Sequence, residues 1–356
     1  MNVDMQGGRS QGRATEYRFA FAGLRHSHIF SLIERVSAHP ACQIVAAWEA
    51  DDTARAAAER VCGLPFEYSD FDTLLSESGC NVVAIGDTYA RRGALAIRAL
   101  KAGCHVIADK PLCTSLEELG EISSLARAGG LSVGCMLDLT EAPAIRGLRE
   151  IIRDGKIGSV QTVTILAQHP LLYGQRAGWY FAGDQHGGTV NDIGVHVFDL
   201  LPWLTGSAWE RMISVREWNA KAKEAPHFCD CAQMYGTLEN GVSCFADLSY
   251  LAPDRCGYSL AQYWRLTVHG TSGMAEASYG AKTLSLATDS DEEIQRVALT
   301  EIPASGRNYL QNFLDEISAK DQTCEGALST EDILKTTRLV LQAQQIASEK
   351  NEDSHS

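Results

Sequence analysis

The chain has 356 residues, 45% of them hydrophobic and 21% charged. At about 150 residues per domain this is a two-domain length, and the composition excludes a mainly disordered chain, a collagen or a coiled-coil rod. A formal net charge of −14 repels phosphate backbones and anionic lipid, which argues against nucleic acid or a membrane as partner.

Residues 1–15 are polar and Gly-rich, which predicts a flexible tail without a secretory signal. No apolar run approaches the roughly 18 residues of a membrane span. Eleven irregularly spaced cysteines read as reduced thiols, so the expected location is cytoplasmic. From 16 to 137, short apolar runs alternate with helical patterns. Tyr17 to Ala22 is an apolar run ending at Gly23, and His28 to Ser37 places Ile29, Leu32, Ile33 and Val36 at helical spacing. Ile44 to Trp48 is the next strand, and Asp52 or Thr53 can cap the helix after it. Asn81 to Ile85, Val106 to Ala108 and Leu131 to Met136 read as strands, with helices over Arg91 to Ala102 and Ser115 to Ala128. Unbroken apolar strands alternating with helices define an α/β, doubly wound parallel sheet of the Rossmann kind.

The pattern changes in 138–350, and 351–356 reads as a tail. Pro143 to Asp154 reads as a helix. Half-alternating strands follow over Val160 to Ala167, Met212 to Trp218, Phe228 to Leu238, Val242 to Tyr250 and Tyr263 to Val268. Asn240-Gly241 predicts a tight hairpin, and helices close the chain over Tyr309 to Ser318 and Thr330 to Ala347. This half is therefore an α+β domain with a large open antiparallel sheet.

The first strand–helix turn is Gly23-Leu24-Arg25-His26-Ser27-His28, the place where a parallel sheet commonly holds a dinucleotide pyrophosphate. Only the first glycine of G-x-G-x-x-G is present, so the turn alone also fits a bare structural connection. Glu49 closes the second strand, where a carboxylate accepts from ribose hydroxyls, roughly 20 residues beyond the turn. With Asp51 and Asp52 following and no Arg before Arg55, the reading favours NAD over NADP. Asp109-Lys110-Pro111 follows a strand and aims a lysine at the ligand crevice, unless it is an ordinary surface Lys-Pro. His186-Gly187-Gly188 leads into Asn191-Asp192-Ile193-Gly194-Val195-His196. On one continuous helix, Asp192 and His196 share a face, as a proton-transfer pair or as an ordinary surface pair.

Together these motifs resemble the glucose–fructose oxidoreductase / inositol dehydrogenase (Gfo/Idh/MocA) family. Asp109-Lys110-Pro111 is similar to its Glu-Lys-Pro, Asp192 to His196 to its D-x-x-x-H helix, and Ala99 to Val106 and Asp154 to Gly158 to further segments. The resemblance implies a NAD(P)-linked alcohol–ketone reaction on sugars or cyclitols, and a homo-oligomer formed through the C-terminal sheet. It implies catalytic roles for Lys110, Asp192 and His196, and cofactor contacts from Gly23, Arg25, His26, His28, Glu49, Thr88, Asp109, Lys110 and Pro111. No metal is expected.

The segment from His169 to Tyr180 supplies aromatic, basic and amide groups suited to a polyhydroxylated ring. His169, Tyr173, Arg176, Trp179 and, beyond the segment, Asn191 are the candidate substrate contacts. Tyr263-Trp264-Arg265 is expected to be strand packing. His227, Cys229 and Cys231 alternate along one predicted strand and are expected to be core rather than a zinc site. Two alternatives stand beside the dehydrogenase. One is a redox-neutral, NAD-dependent glycoside-cleaving enzyme with Tyr173, His169 or His186 as its further acid/base; the other is a non-catalytic NAD-binding protein.

Overall fold

A computed structural model describes residues 17–301, 307–319 and 326–353. The tail expected over 1–15 lies outside them, as do 354–356. The first sheet has the order β2-β1-β3-β4-β5, all neighbours parallel. Its strands are β1 (Tyr17–Leu24), β2 (Cys42–Trp48), β3 (Val82–Gly86), β4 (His105–Ala108) and β5 (Val133–Cys135). The helices between them are α1 (Ile29–Ala38), α2 (Asp52–Cys62), α3 (Phe71–Glu77), α4 (Tyr89–Lys101) and α5 (Leu116–Gly129). The cap of α2 is Asp51 rather than Asp52 or Thr53: its side chain accepts from the Ala54 amide at 2.8 Å. The short α3, capped by Asp70, carries too few periodic apolar residues to be read from the sequence. Strand order reverses between β1 and β3, so the crevice beyond their carboxyl ends is the natural ligand site.

The second half holds α6 (Pro143–Arg153), β6 (Val160–Pro170), α7 (Val195–Thr205), β7 (Trp209–Trp218), β8 (Cys231–Leu238) and β9 (Ser243–Ala252). It continues with β10 (Arg265–Gly270), β11 (Gly273–Ser278), β12 (Thr283–Thr288), β13 (Gln295–Ala298), α8 (Tyr309–Ile317) and α9 (Thr330–Asp353). Its sheet runs β13-β12-β11-β10-β6-β9-β8-β7. Every pair is antiparallel except β6 and β9, which are parallel, with Val163 beside Cys244. The expected hairpin is present: Gly241, at φ 85°, turns the chain between β8 and β9. Strands β11 to β13 are additional to those read from the sequence, and α9 continues to Asp353, past the predicted tail boundary. Strand β8 begins at Cys231, so His227 and Cys229 belong to the preceding loop rather than to one strand face.

One face of this sheet packs under helices, α6 on β11 and β12 and α9 on β7. The C-terminal helices also reach the first sheet: α8 and α9 cover β5, and the Thr330 hydroxyl accepts from the Val133 amide at 2.8 Å. Two sheets thereby share helical cover. The candidate crevice lies between them.

Candidate active site

A cavity of about 420 Å³ opens where the carboxyl ends of β1, β3 and β4 face the second sheet. His26, His28, Tyr89 and Lys110 line it from one side, and His169, Arg176, Tyr180, Asp192, His196, Tyr263 and Trp264 from the other. At its centre Lys110, 6% exposed just after β4, donates from Nζ to Asp192 Oδ1 at 2.6 Å and to the Asp192 carbonyl at 3.0 Å. Asp192 Oδ2 accepts from the hydroxyls of Tyr180, at 2.7 Å, and of Tyr250, and lies 3.3 Å from His186 Nε2. Burial alone would raise the Asp192 carboxyl, but Lys110 and the His186 contact outweigh it and hold the group well below the usual range. Burial, reinforced by the Asp192 charge, pushes Tyr180 and Tyr250 well above 10. Both tyrosines therefore keep their protons.

Asp192 does not lie on a regular helix. Val190–Gly194 forms a π-turn that leads into α7, a local geometry often found at functional sites. Gly187 and Gly188, at φ 77° and 94°, make the entry possible. A Cβ on Gly188 would stand 2.1 Å from Gln344 Cδ of α9, and one on Gly187 2.4 Å from Thr114 Cγ2. Asp192 and His196 both reach the cavity, yet the Asp192 oxygens are engaged by Lys110, the two tyrosines and His186 rather than by His196. The ring of His196 stands edge-on to Trp264, with centroids 5.2 Å apart, and its Nδ1 is buried without a hydrogen bond. Burial, then the Lys110 charge, push His196 well below 6.5. The ring is therefore neutral, which bears on the proton-transfer role expected of it.

The first turn is arranged around Asp109. Gly23 has φ 73°, and a Cβ there would stand 2.4 Å from Asp87 Cβ, so the turn requires its glycine. The amides of Arg25 and His26 both donate to the Gly86 carbonyl at 3.0 Å. His26 Nδ1 meets Asp109 Oδ2 at 2.5 Å, and the fully buried Arg92 donates to the same oxygen at 3.1 Å and to the carbonyls of Asp87, Asp109 and Pro111. Burial pushes His26 down to about 4 against the opposing pull of Asp109. His26, His28 and Asp109 bring ligand-type atoms within 4.8 Å of one another. Arg92 already neutralises Asp109 and His26 is hydrogen-bonded to it, so the trio forms an internal charge network.

Glu49 is 5% exposed and accepts from the amides of Leu24 and Asp51 at 2.5 and 2.8 Å. Arg25, expected among the cofactor contacts, reaches sideways to Asp51 at 3.6 Å. The end of β2 therefore has an Arg in space that its sequence neighbourhood does not show. Thr88 donates to Gln185 Oε1 at 2.9 Å, tying β3 to the loop before Asp192. Asp87 Oδ2 and Asp109 Oδ1 are buried without a hydrogen bond. These acceptors, each 3.5 Å from a basic nitrogen that does not hydrogen-bond it (Arg91 Nε and His28 Nδ1), lie beside a left-handed glycine and a helix start, which fits a dinucleotide rich in hydroxyl and amide donors.

On the substrate side, His169 and Arg176 line the cavity. His169 is pushed to about 3 by burial and then Lys110, and Arg176 donates to the carbonyls of Pro170 and Leu171 and to Tyr258. Tyr173 does not line it: it is 42% exposed and packs on Phe181. Trp179 does not line it either, its ring packing edge-on against Tyr89 and His26. Asn191 faces away, donating to the Cys113 carbonyl at 3.0 Å. Tyr263 and Trp264, expected to be strand packing, precede β10 and line the cavity; Trp264 holds φ 53°, and both rings stand edge-on to His169. Tyr250 was missed because an apolar strand ending in Tyr looks like any β-strand, and Tyr258 and Tyr279 because loop tyrosines carry no spacing. Of the acid/base groups considered for glycoside cleavage, only His169 lines the cavity; Tyr173 lies outside it and His186 sits behind Asp192.

Residues 18–136 match the oxidoreductase family with an NAD-binding Rossmann fold, and residues 145–276 match the GFO/IDH/MocA C-terminal domain. The chain belongs to the Gfo/Idh/MocA oxidoreductase family. Among its relatives is a D-apiose dehydrogenase of Paraburkholderia graminis, 26% identical over 210 residues that cover 58% of this chain and 54% of that protein. Matched stretches span about half the length of the curated relatives, 46%, 43% and 54% for three of them. A structure of an oxidoreductase from Erwinia carotovora atroseptica shares the fold at TM-score 0.81 and 23% identity, covering 93% of this chain and 99% of the other. An inositol dehydrogenase homologue from Azotobacter vinelandii, complexed with NADH and myo-inositol, shares it at 0.74 and 17%, over 94% and 96%.

Proposed function

We propose that the protein is an NAD-dependent oxidoreductase acting on a secondary hydroxyl of a sugar, glycoside or cyclitol. The observation that carries this reading is the buried Lys110–Asp192 pair, which joins the two halves at 2.6 Å inside a cavity that also holds His196. A volume of about 420 Å³, walled by tyrosines and Trp264, suits a ring with polar edges and C–H faces. The named activities of the apiose dehydrogenase and the inositol dehydrogenase homologue support that substrate class.

When bound, the nicotinamide cofactor supplies a hydride acceptor. Gly23, the start of α1 and the Glu49 pocket would hold it, with the spare oxygens of Asp87 and Asp109 accepting from its hydroxyl or amide groups. Lys110 donates to the reacting oxygen and stabilises the negative charge that develops there. Neutral His196 accepts from the hydroxyl and orients it, and Asp192 holds Lys110 in position. Glu49 with Asp51 and Asp52 favours NAD, while Arg25 reduces the repulsion a 2′-phosphate would meet. A screen of sugars, glycosides and cyclitols for NADH formation tests the reading. At least one should be oxidised, and a protein that binds NAD tightly yet oxidises none would contradict it.

A further inference from the structure

Behind Asp192, away from the substrate, lies a second cavity of about 460 Å³. It is walled by the Ser115 cap of α5, Gly187 and Gly188, Glu217 of β7, His227 and Gln344 of α9. His227 and Gln345 on its rim are exposed. His186 belongs to both sides of this wall: it is 4% exposed and lines the second cavity, while its Nε2 lies 3.3 Å from Asp192 Oδ2 and 3.5 Å from the Tyr250 hydroxyl. Its ring is fixed by Tyr180, Phe228 and Tyr89, with centroids at 4.6, 4.8 and 5.3 Å.

We propose that His186 is the proton relay between the Lys110–Asp192 pair and solvent in the second cavity. The inference rests on the oxidoreductase reading above. Alcohol oxidation releases one proton for each hydride transferred, and a filled, water-excluding site needs a route for it. Tyr180 and Tyr250 retain their protons, so they orient Asp192 without carrying charge away.

In the oxidising direction, Lys110 passes a proton from Nζ to Asp192 Oδ1 and takes the substrate hydroxyl proton in its place. The carboxyl turns about its Cβ–Cγ bond to bring the protonated oxygen to His186 Nε2, which takes the proton as the other ring nitrogen releases one to water in the cavity. Carbonyl reduction runs the same steps backwards, beginning from Nε2–H donating to the carboxylate. Charged groups facing His186 include Asp192 on the active-site side and Glu217 of β7, whose carboxyl is raised by burial against hydrogen bonds from Gln344 and Ser348.

The test compares wild type with His186→Gln and His186→Ala. We expect kcat to fall about 10²-fold in both, with NAD affinity kept. Added imidazole should restore His186→Ala saturably and leave His186→Gln unchanged, because only the alanine opens room for it. Wild-type turnover in His186→Gln, or loss of activity in His186→Ala that imidazole does not relieve, would overturn the relay. Nitrogen NMR of the His186 ring reads the proposal without turnover. Its ring proton should exchange with bulk water as fast as that of an exposed histidine, although the side chain is buried; slow, protected exchange overturns the relay. A wild-type protein inert toward every sugar but with fast ring exchange would instead fail the oxidoreductase reading alone.

Discussion

The two walls of the active-site cavity are built on different principles. The wall from the first sheet is a closed charge network: Asp109 sits between His26 and Arg92, and Arg92 spends its donors on Asp87, Asp109 and Pro111. The wall from the second sheet is aromatic and only partly tied down, with Tyr258 and Tyr279 exposed at its edge. A fixed, internally neutralised wall suits a constant cofactor. An aromatic wall assembled from loops suits a substrate that differs among relatives of one fold. Lys110 and Asp192 join the two, and the largest effects are expected where that junction is broken.

Lys110→Met and Asp192→Asn should each lower kcat by about 10²–10⁴-fold, measured at saturating NAD and substrate. Both also leave a buried group without its partner, so Tm should fall with activity. Equal Tm and equal kcat would place the junction outside the chemistry. Next in size is the first wall itself: Arg92→Ala strands the Asp109 charge and should cost about 3–5 kcal/mol in denaturant unfolding. Lys101→Ala, which breaks an exposed pair with Glu121, should cost under about 1 kcal/mol. Comparable losses in the two would show that the network does not stabilise the fold.

How much of this was legible follows the same division. The first wall lies in contiguous motifs, so Gly23, Glu49, Asp109 and Lys110 could be picked out from strand ends and turns. Arg92 could not, because a helical arginine looks solvated until the fold buries it under Tyr89, 4.5 Å from its guanidinium. The second wall is assembled from segments far apart in sequence. Tyr250, Tyr263 and Trp264 look like packing residues, and only the approach of β6, β9 and β10 brings Tyr250 to Asp192 and the other two to the cavity. The π-turn at Val190–Gly194 was equally hidden, since a one-residue widening leaves no mark in apolar periodicity. Strand β11 escaped because Gly273–Ser278 carries no β-branched or aromatic residue.

Acid should weaken both walls, since His26, His169 and His196 are all held below 6.5 by burial. His26 is held at about 4 in the fold and near 6.5 when unfolded, so between those values the unfolded chain binds a proton that the native protein lacks. Its contribution is complete above about pH 6.5 and is lost as pH falls toward 4. Tm should therefore drop from pH 7 to pH 5, and His26→Gln should flatten the slope; an unchanged slope would remove His26 from the account. Smaller effects belong to the second wall and the ribose pocket. Arg176→Ala should raise KM with NAD affinity unchanged, while Tyr173→Phe, outside the cavity, should leave both constants near wild type. Glu49→Ala should narrow the gap between NAD and NADP binding by calorimetry, and a widened gap would reverse the role assigned to that carboxylate.

The central claim is that Lys110, held by Asp192 across the two halves, drives hydride transfer from a polyol-type hydroxyl. Its most direct test is NADH absorbance on mixing protein and NAD with a panel of sugars, glycosides and cyclitols, wild type beside Lys110→Met, with NAD binding confirmed for both. The account predicts NADH formation with at least one compound and a rate at least about 10²-fold lower in the variant. Undiminished NADH formation by Lys110→Met would contradict it.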